Sequence, residues 1–149
     1  MLKQKLQARY PASSDVVIKM MTDKKFYTDR LELQGLRDYE VVSHKADGKT
    51  FSITIKRKIT AMNVISVESW NLAKKTGRIT VELQGMPMEV SCDTALADEG
   101  KDCVLTYHWN IHSKIPLVGG KIEKQFAGEN EKVIPEQTRY GVELLKNYR

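Results

Sequence analysis

The chain alternates apolar and polar residues most sharply between Cys103 and Ile111. Cys103, Leu105, Tyr107, Trp109 and Ile111 share one face there, and Val104, Thr106, His108 and Asn110 share the other. Side chains on a strand change face at every residue, so this segment predicts a sheet with one covered and one wet side. The same period of two predicts strands at 2–10, 38–46, 50–60, 78–85 and 88–97. Their inward sets include Leu6, Ala8 and Tyr10, then Phe51, Ile53, Ile55, Arg57 and Ile59. Ile79, Val81 and Leu83 follow, and then Val90, Cys92, Thr94 and Leu96. Residues 62–72 alternate less cleanly around Val64, Ile65 and Val67, and are assigned to one further strand.

Helical spacing takes over in three places. After Pro11, Ser13 or Ser14 can cap a short helix carrying Val16, Val17, Met20 and Met21. Residues 23–34 form a second, closed by Gly35. At the C-terminal end, Ile122, Phe126, Val133, Tyr140, Leu144 and Tyr148 mark one stripe of a long amphipathic helix. Pro135 removes a backbone donor within it, and with Gly128 nearby the expectation is a kink or short break between Asn130 and Pro135. Asp47-Gly48 is a strong hairpin signal, and consecutive strands with short connections favour antiparallel pairing. The fold class is therefore α+β, an antiparallel sheet of six to seven strands with two short helices and a long C-terminal one.

Length and composition narrow the picture. The 149 residues suit one domain spanning 1–149, with 41% hydrophobic and 29% charged residues, which excludes wholesale disorder. No apolar run approaches the ~20 residues of a membrane span, so no stable membrane insertion is expected. The first seven residues alternate like a strand rather than forming a secretion signal, and a cytoplasmic location is the expectation. The net charge of +5 invites a nucleic-acid reading. The lysines are scattered, however, and no basic run interleaves with aromatics as a single-strand groove requires, so no nucleic-acid partner is expected. Cys92 and Cys103 fall on inward faces of consecutive strands. A turn near Asp98–Gly100 sets them too far apart for a bridge, so both are expected to be reduced and structural.

Arg57 breaks the apolar register of its strand's inward face, which is costly unless the charge is paired or reaches water. With a turn at 61–63, Glu68 falls opposite Arg57 and Trp70 opposite Ile55. Three readings follow: an Arg57–Glu68 pair that holds a ligand's carboxylate or phosphate, a purely structural pair, or a bulge turning Arg57 to solvent. Tyr107, Trp109 and Tyr39 suit an apolar pocket with few oriented donors, and equally a plain core. His108 and His112 stand roughly 13 Å apart at ~3.3 Å per residue, too far to share a metal, and His44 lies near a hairpin end. No metal, cofactor or catalytic residue is assigned, because no nucleophile with its base and no phosphate loop is present.

The element order, two short helices after the first strand and a long helix at the end, resembles the START-like (SRPBCC) helix-grip superfamily. Lipid-transfer domains, plant proteins of the birch-pollen-allergen type and polyketide cyclases belong to it. Within it, Glu68-Ser69-Trp70, Gly85-Met86-Pro87-Met88-Glu89-Val90 and Ile115-Pro116-Leu117-Val118-Gly119-Gly120-Lys121-Ile122-Glu123 resemble a bacterial family of unknown function, domain of unknown function 2505. The resemblance implies a curved seven-stranded sheet wrapped round the last helix, with a cavity between them, and it implies no reaction. The expected function is binding of a small or medium hydrophobic ligand, lipid-like and with room for an anionic head, by a monomer or homodimer. Arg57, Glu68, Trp70, Tyr107, Trp109, Tyr39 and Phe126 are the candidate ligand-binding residues. Two alternatives stand beside it: a cyclase- or hydrolase-like enzyme using Glu68 or Tyr107, and an interaction module with a filled core.

Overall fold

The computed structural model describes residues 1–149. Strand β1 (Leu2–Tyr10) leads into helices α1 (Ser14–Met21) and α2 (Lys24–Leu33). Six strands follow: β2 (Tyr39–Ala46), β3 (Thr50–Ile59), β4 (Met62–Asn71), β5 (Thr76–Leu83), β6 (Met88–Glu99) and β7 (Asp102–Ser113). Helix α3 (Gly119–Leu144) closes the order, with a 3-10 turn at Leu145–Asn147. The strands form one antiparallel sheet in the order β1-β7-β6-β5-β4-β3-β2, so the first strand pairs with the last and the rest follow as a meander. This is the α+β helix-grip architecture expected from the alternation and the element order.

Local chemistry sets the boundaries. Ser13 caps α1 by accepting the Val16 N–H, and Asp23 caps α2 by accepting the Lys25 N–H at 3.0 Å. Gly48 turns the β2–β3 hairpin at φ +85, and Asp47 accepts the N–H groups of Lys49 and Thr50. A bulge between Val41 and Ser43 interrupts the edge strand β2.

Three expectations need correction. The β3–β4 hairpin turns on two residues, Thr60 and Ala61, with Thr60 at φ +58. Arg57 therefore lies opposite Val64, Glu68 opposite Ile53 and Trp70 opposite Phe51, so the Arg57–Glu68 pair does not form. A left-handed β-branched residue without glycine gives no sequence sign of so tight a turn. The β6–β7 turn is likewise shorter, at Gly100–Lys101, which sets Cys92 opposite Trp109 and Cys103 opposite Asp98. Both thiols are free and buried, as expected, and burial pushes them up to about 12 and about 11.

Third, α3 runs unbroken through Pro135. Pro135 and Glu131 both lie on the exposed side, so the carbonyl that loses its partner has water within reach. The buried stripe of α3 is also displaced from the expected one. Glu123, Ala127, Asn130, Ile134, Gly141 and Leu144 face inward, while Phe126, Val133 and Tyr140 are half-buried. Polar side chains occupy that stripe because each has a partner. Glu123 accepts the Ser113 N–H at 2.9 Å, and Asn130 donates to Gln4 Oε1 at 3.1 Å. Gln4 in turn donates to Ala127 O at 2.8 Å. At Gly141 the helix comes so close to β1 that a Cβ would stand 3.1 Å from the Tyr10 ring.

These contacts place α3 over β1 and β7, at one side of the sheet. Seven strands ~4.8 Å apart span roughly 29 Å before curvature, whereas a helix is about 10 Å across. One helix cannot cover that width. Helices α1 and α2 fill part of the remainder, through Val17, Met20, Met21, Phe26 and Tyr27, all buried. A hollow is left over β3, β4 and β5.

Candidate functional site

The hollow has a volume of about 360 Å³, and 18 of its 26 lining residues are hydrophobic. That volume falls within the ~300–1,000 Å³ of small-molecule sites. Its floor is the inward set of the central strands, Ile53, Ile55, Val64, Ile79, Val81 and Leu83. Phe126, Val133 and Ile134 of α3 form one wall, and Met21, Tyr27, Arg30 and Leu31 form the other. Aromatic rings line the end under α3. Tyr107 and Trp109 stack at 6.5 Å between centroids, and Phe126 meets Trp109 edge-on at 6.1 Å.

Of the candidate residues, Arg57, Glu68, Trp70, Tyr107, Trp109 and Phe126 all line this cavity. Tyr39 does not. It stands opposite Arg57 on β2, half-buried, with its hydroxyl 3.4 Å from Glu32 Oε1 beneath α2. Strand alternation places it on the inward face of the edge strand, outside the hollow's lining.

Glu68 is held by neighbours other than the expected one. Trp70 Nε1 donates to Glu68 Oε2 at 2.9 Å, and Tyr27 Oη stands 2.6 Å from the same oxygen and 2.6 Å from Met21 O. Tyr27 also stacks on Phe51 at 5.8 Å, so aromatic packing and hydrogen bonding together fix the carboxyl against the cavity wall. Burial first, and then the charge of Glu68, raises the Tyr27 hydroxyl well above its ordinary range. Tyr107 is also raised well above it, chiefly by burial, which keeps both phenols neutral.

Arg30 is the site residue that sequence reasoning missed. Its guanidinium lies 5.0 Å from the Phe26 ring centroid and 5.4 Å from that of Tyr27. The signal was present in the spacing: Arg30 is four residues beyond Phe26, and such residues share a helix face. Arg30 Nε is buried without a hydrogen-bond partner, as are Thr94 Oγ1 and Trp109 Nε1, and all three residues line the hollow. Burial, and then the charge of Arg30, holds the Arg57 guanidinium below its ordinary value. The cavity is thus mostly apolar, with a fixed carboxyl, two cations and several donors whose protein partners are missing.

Solved structures share this fold at low sequence identity. The Zhui aromatase/cyclase from Streptomyces sp. R1128 superposes with a TM-score of 0.69 at 9% identity, over 97% of this chain and 93% of that one. A START superfamily protein from Mycobacterium smegmatis gives 0.61 at 15% identity, over 96% and 98%. Norcoclaurine synthase from Thalictrum flavum, solved with dopamine and hydroxybenzaldehyde, gives 0.62 at 13% identity, over 95% and 87%. Identities this low carry the START-like fold and nothing finer. No curated protein sequence matches the chain. The family model of a protein of unknown function, DUF2505, matches residues 5–145, and the chain belongs to that family.

Proposed function

We propose that residues 1–149 act as one helix-grip domain that binds a small or medium hydrophobic ligand between α3 and the sheet. The observation that carries this reading is the roughly 360 Å³ hollow lined mainly by apolar side chains. That hollow favours this reading over an interaction module with a filled core. Buried apolar area supplies the affinity, at about 25 cal/mol per Å². Arg57, Glu68, Trp70, Tyr107, Trp109 and Phe126 line the space and would orient the ligand. START-like neighbours of this shape support the reading at the level of fold.

The same proposal gives the chain a cytoplasmic setting, as a monomer or homodimer without a nucleic-acid partner. Two free, buried thiols accord with a reducing compartment. Many surface charges are paired locally, as in Arg78–Asp93 at 2.7 Å and Lys114–Glu89 at 2.7 Å, rather than gathered into one basic face. No helix is long and apolar enough to cross a membrane.

Titration with Nile red, a neutral apolar dye, tests the binding. Saturable 1:1 binding is expected, weakened when Val81→Trp fills the floor. Absence of saturable binding, together with native mass spectra free of any co-purified small molecule, would refute the proposal.

A further inference from the structure

The geometry points to an anion subsite inside the cavity, made by Arg30 and Arg57, that takes the terminal carboxylate or phosphate of an amphiphilic ligand. This rests on the proposed ligand-binding function and names the chemical class of what binds. Both arginines line the hollow, one from α2 and one from β3. Neither takes part in any ion pair of the chain. No side-chain hydrogen bond satisfies either guanidinium, and Arg30 Nε is buried with no acceptor. Both side chains are half-buried, and a cation partly withdrawn from water without a counter-charge is disfavoured. Two such cations lining one cavity make a site whose counter-ion is supplied from outside.

The surroundings fit that role. The Arg30 guanidinium lies over the Phe26 and Tyr27 rings, which hold it in place without using its N–H groups. Glu68, the carboxyl in the wall, is held by Trp70 Nε1 at 2.9 Å and Tyr27 Oη at 2.6 Å and forms no ion pair with either arginine. Glu129, the other acid on the lining, is exposed and reaches Lys132 at 3.8 Å. Guanidinium groups present planar forks of donors that match the oxygens of a carboxylate or a phosphate monoester. The apolar remainder sets the tail. The 360 Å³ hollow, lined mainly by hydrophobic side chains, suits an alkyl chain such as that of a ten-carbon amphiphile.

Displacement of Nile red from the full-length chain by decanoate, decyl phosphate and decanol separates the claims. Decanoate or decyl phosphate is expected to compete at least about tenfold more strongly than decanol, the scale of one charge-assisted hydrogen bond. Whichever acid wins identifies the head group. In Arg30→Gln and in Arg57→Gln the acid-to-alcohol ratio is expected to fall toward one. Arg78→Gln, on the outer face, is expected to retain it. Without ligand, Arg57→Gln is not expected to melt below the parent, because it removes a cation with no protein partner. A parent ratio near one, or a ratio unchanged in both cavity variants, overturns the anion subsite while leaving apolar binding intact. Failure of Nile red to bind, with native mass spectra free of any co-purified small molecule, overturns the underlying function and the subsite with it.

Discussion

Gly77 in β5 lies opposite Thr94, where a Cβ would stand 2.6 Å from Ser69 O, 2.7 Å from Thr94 Oγ1 and 2.8 Å from Trp70 Cδ2. Carbon atoms do not approach so closely, and two of these neighbours have little freedom to give way. Ser69 O belongs to the paired strand β4, and the Trp70 indole is held by its hydrogen bond to Glu68. Overpacking a core typically costs ~1–3 kcal/mol, and three simultaneous contacts under 3.0 Å put Gly77→Ala at the upper end, about 3 kcal/mol. For a chain of this size each kcal/mol lowers the melting temperature by about 2–4 °C, so the expected loss is roughly 6–12 °C. Gly128→Ala is the control. Nothing lies within 4 Å of its Cβ, and in mid-helix the change is expected to stabilise by about 0.5–1 kcal/mol. Thermal unfolding followed by tryptophan fluorescence reads both, since Trp70 and Trp109 border the cavity. If Gly77→Ala melts within about 1 °C of the parent, Trp70 is not pinned and the account of that wall is wrong.

The remaining predictions concern single groups. The Ser113 N–H holds Glu123 below the ordinary carboxylate range, so its stabilising effect is full above the unfolded value of about 4.3 and is lost as pH falls through the lower folded value. Glu123→Gln is accordingly expected to lower the melting temperature at pH 7 and to match the parent in strong acid. Cys92 and Cys103, pushed up to about 12 and about 11 by burial, are expected to resist a thiol reagent at pH 8 until the chain is unfolded. Labelling of either at the rate of a free thiol in the native protein would contradict their placement. Tyr148 Oη donates to Asp23 Oδ2 at 2.7 Å, tying the C-terminal turn to the cap of α2. Tyr148→Phe is expected to cost about 1 kcal/mol in denaturant unfolding.

Much of the fold was legible because strand alternation is a local property. The inward sets of β3, β5, β6 and β7 follow from a period of two, and the structure places Arg57 inward as that period requires. Register is not local. It depends on how many residues a turn consumes, and Thr60-Ala61 carries none of the glycine or asparagine that advertises a two-residue hairpin. That difference separated Arg57 from Glu68. The face of α3 was misjudged for another reason. Hydrophobic spacing counts Glu123 and Asn130 as exposed, yet Ser113 N–H and Gln4, distant in sequence, satisfy them inside. Arg30 is hard to read from sequence because a charged residue in a short helix looks like surface, and only the folded chain shows it lining the hollow.

The pairing of β1 with β7 and of Gln4 with Ala127 and Asn130 has a consequence for synthesis. The first strand emerges from the ribosome about a hundred residues before its only neighbour in the sheet, and longer still before the helix it binds. Until then it has no hydrogen-bonding partner of its own chain. Closure of the fold therefore waits until β7 and α3 have been synthesised. A chain released early would leave that leading segment unpaired and prone to aggregate.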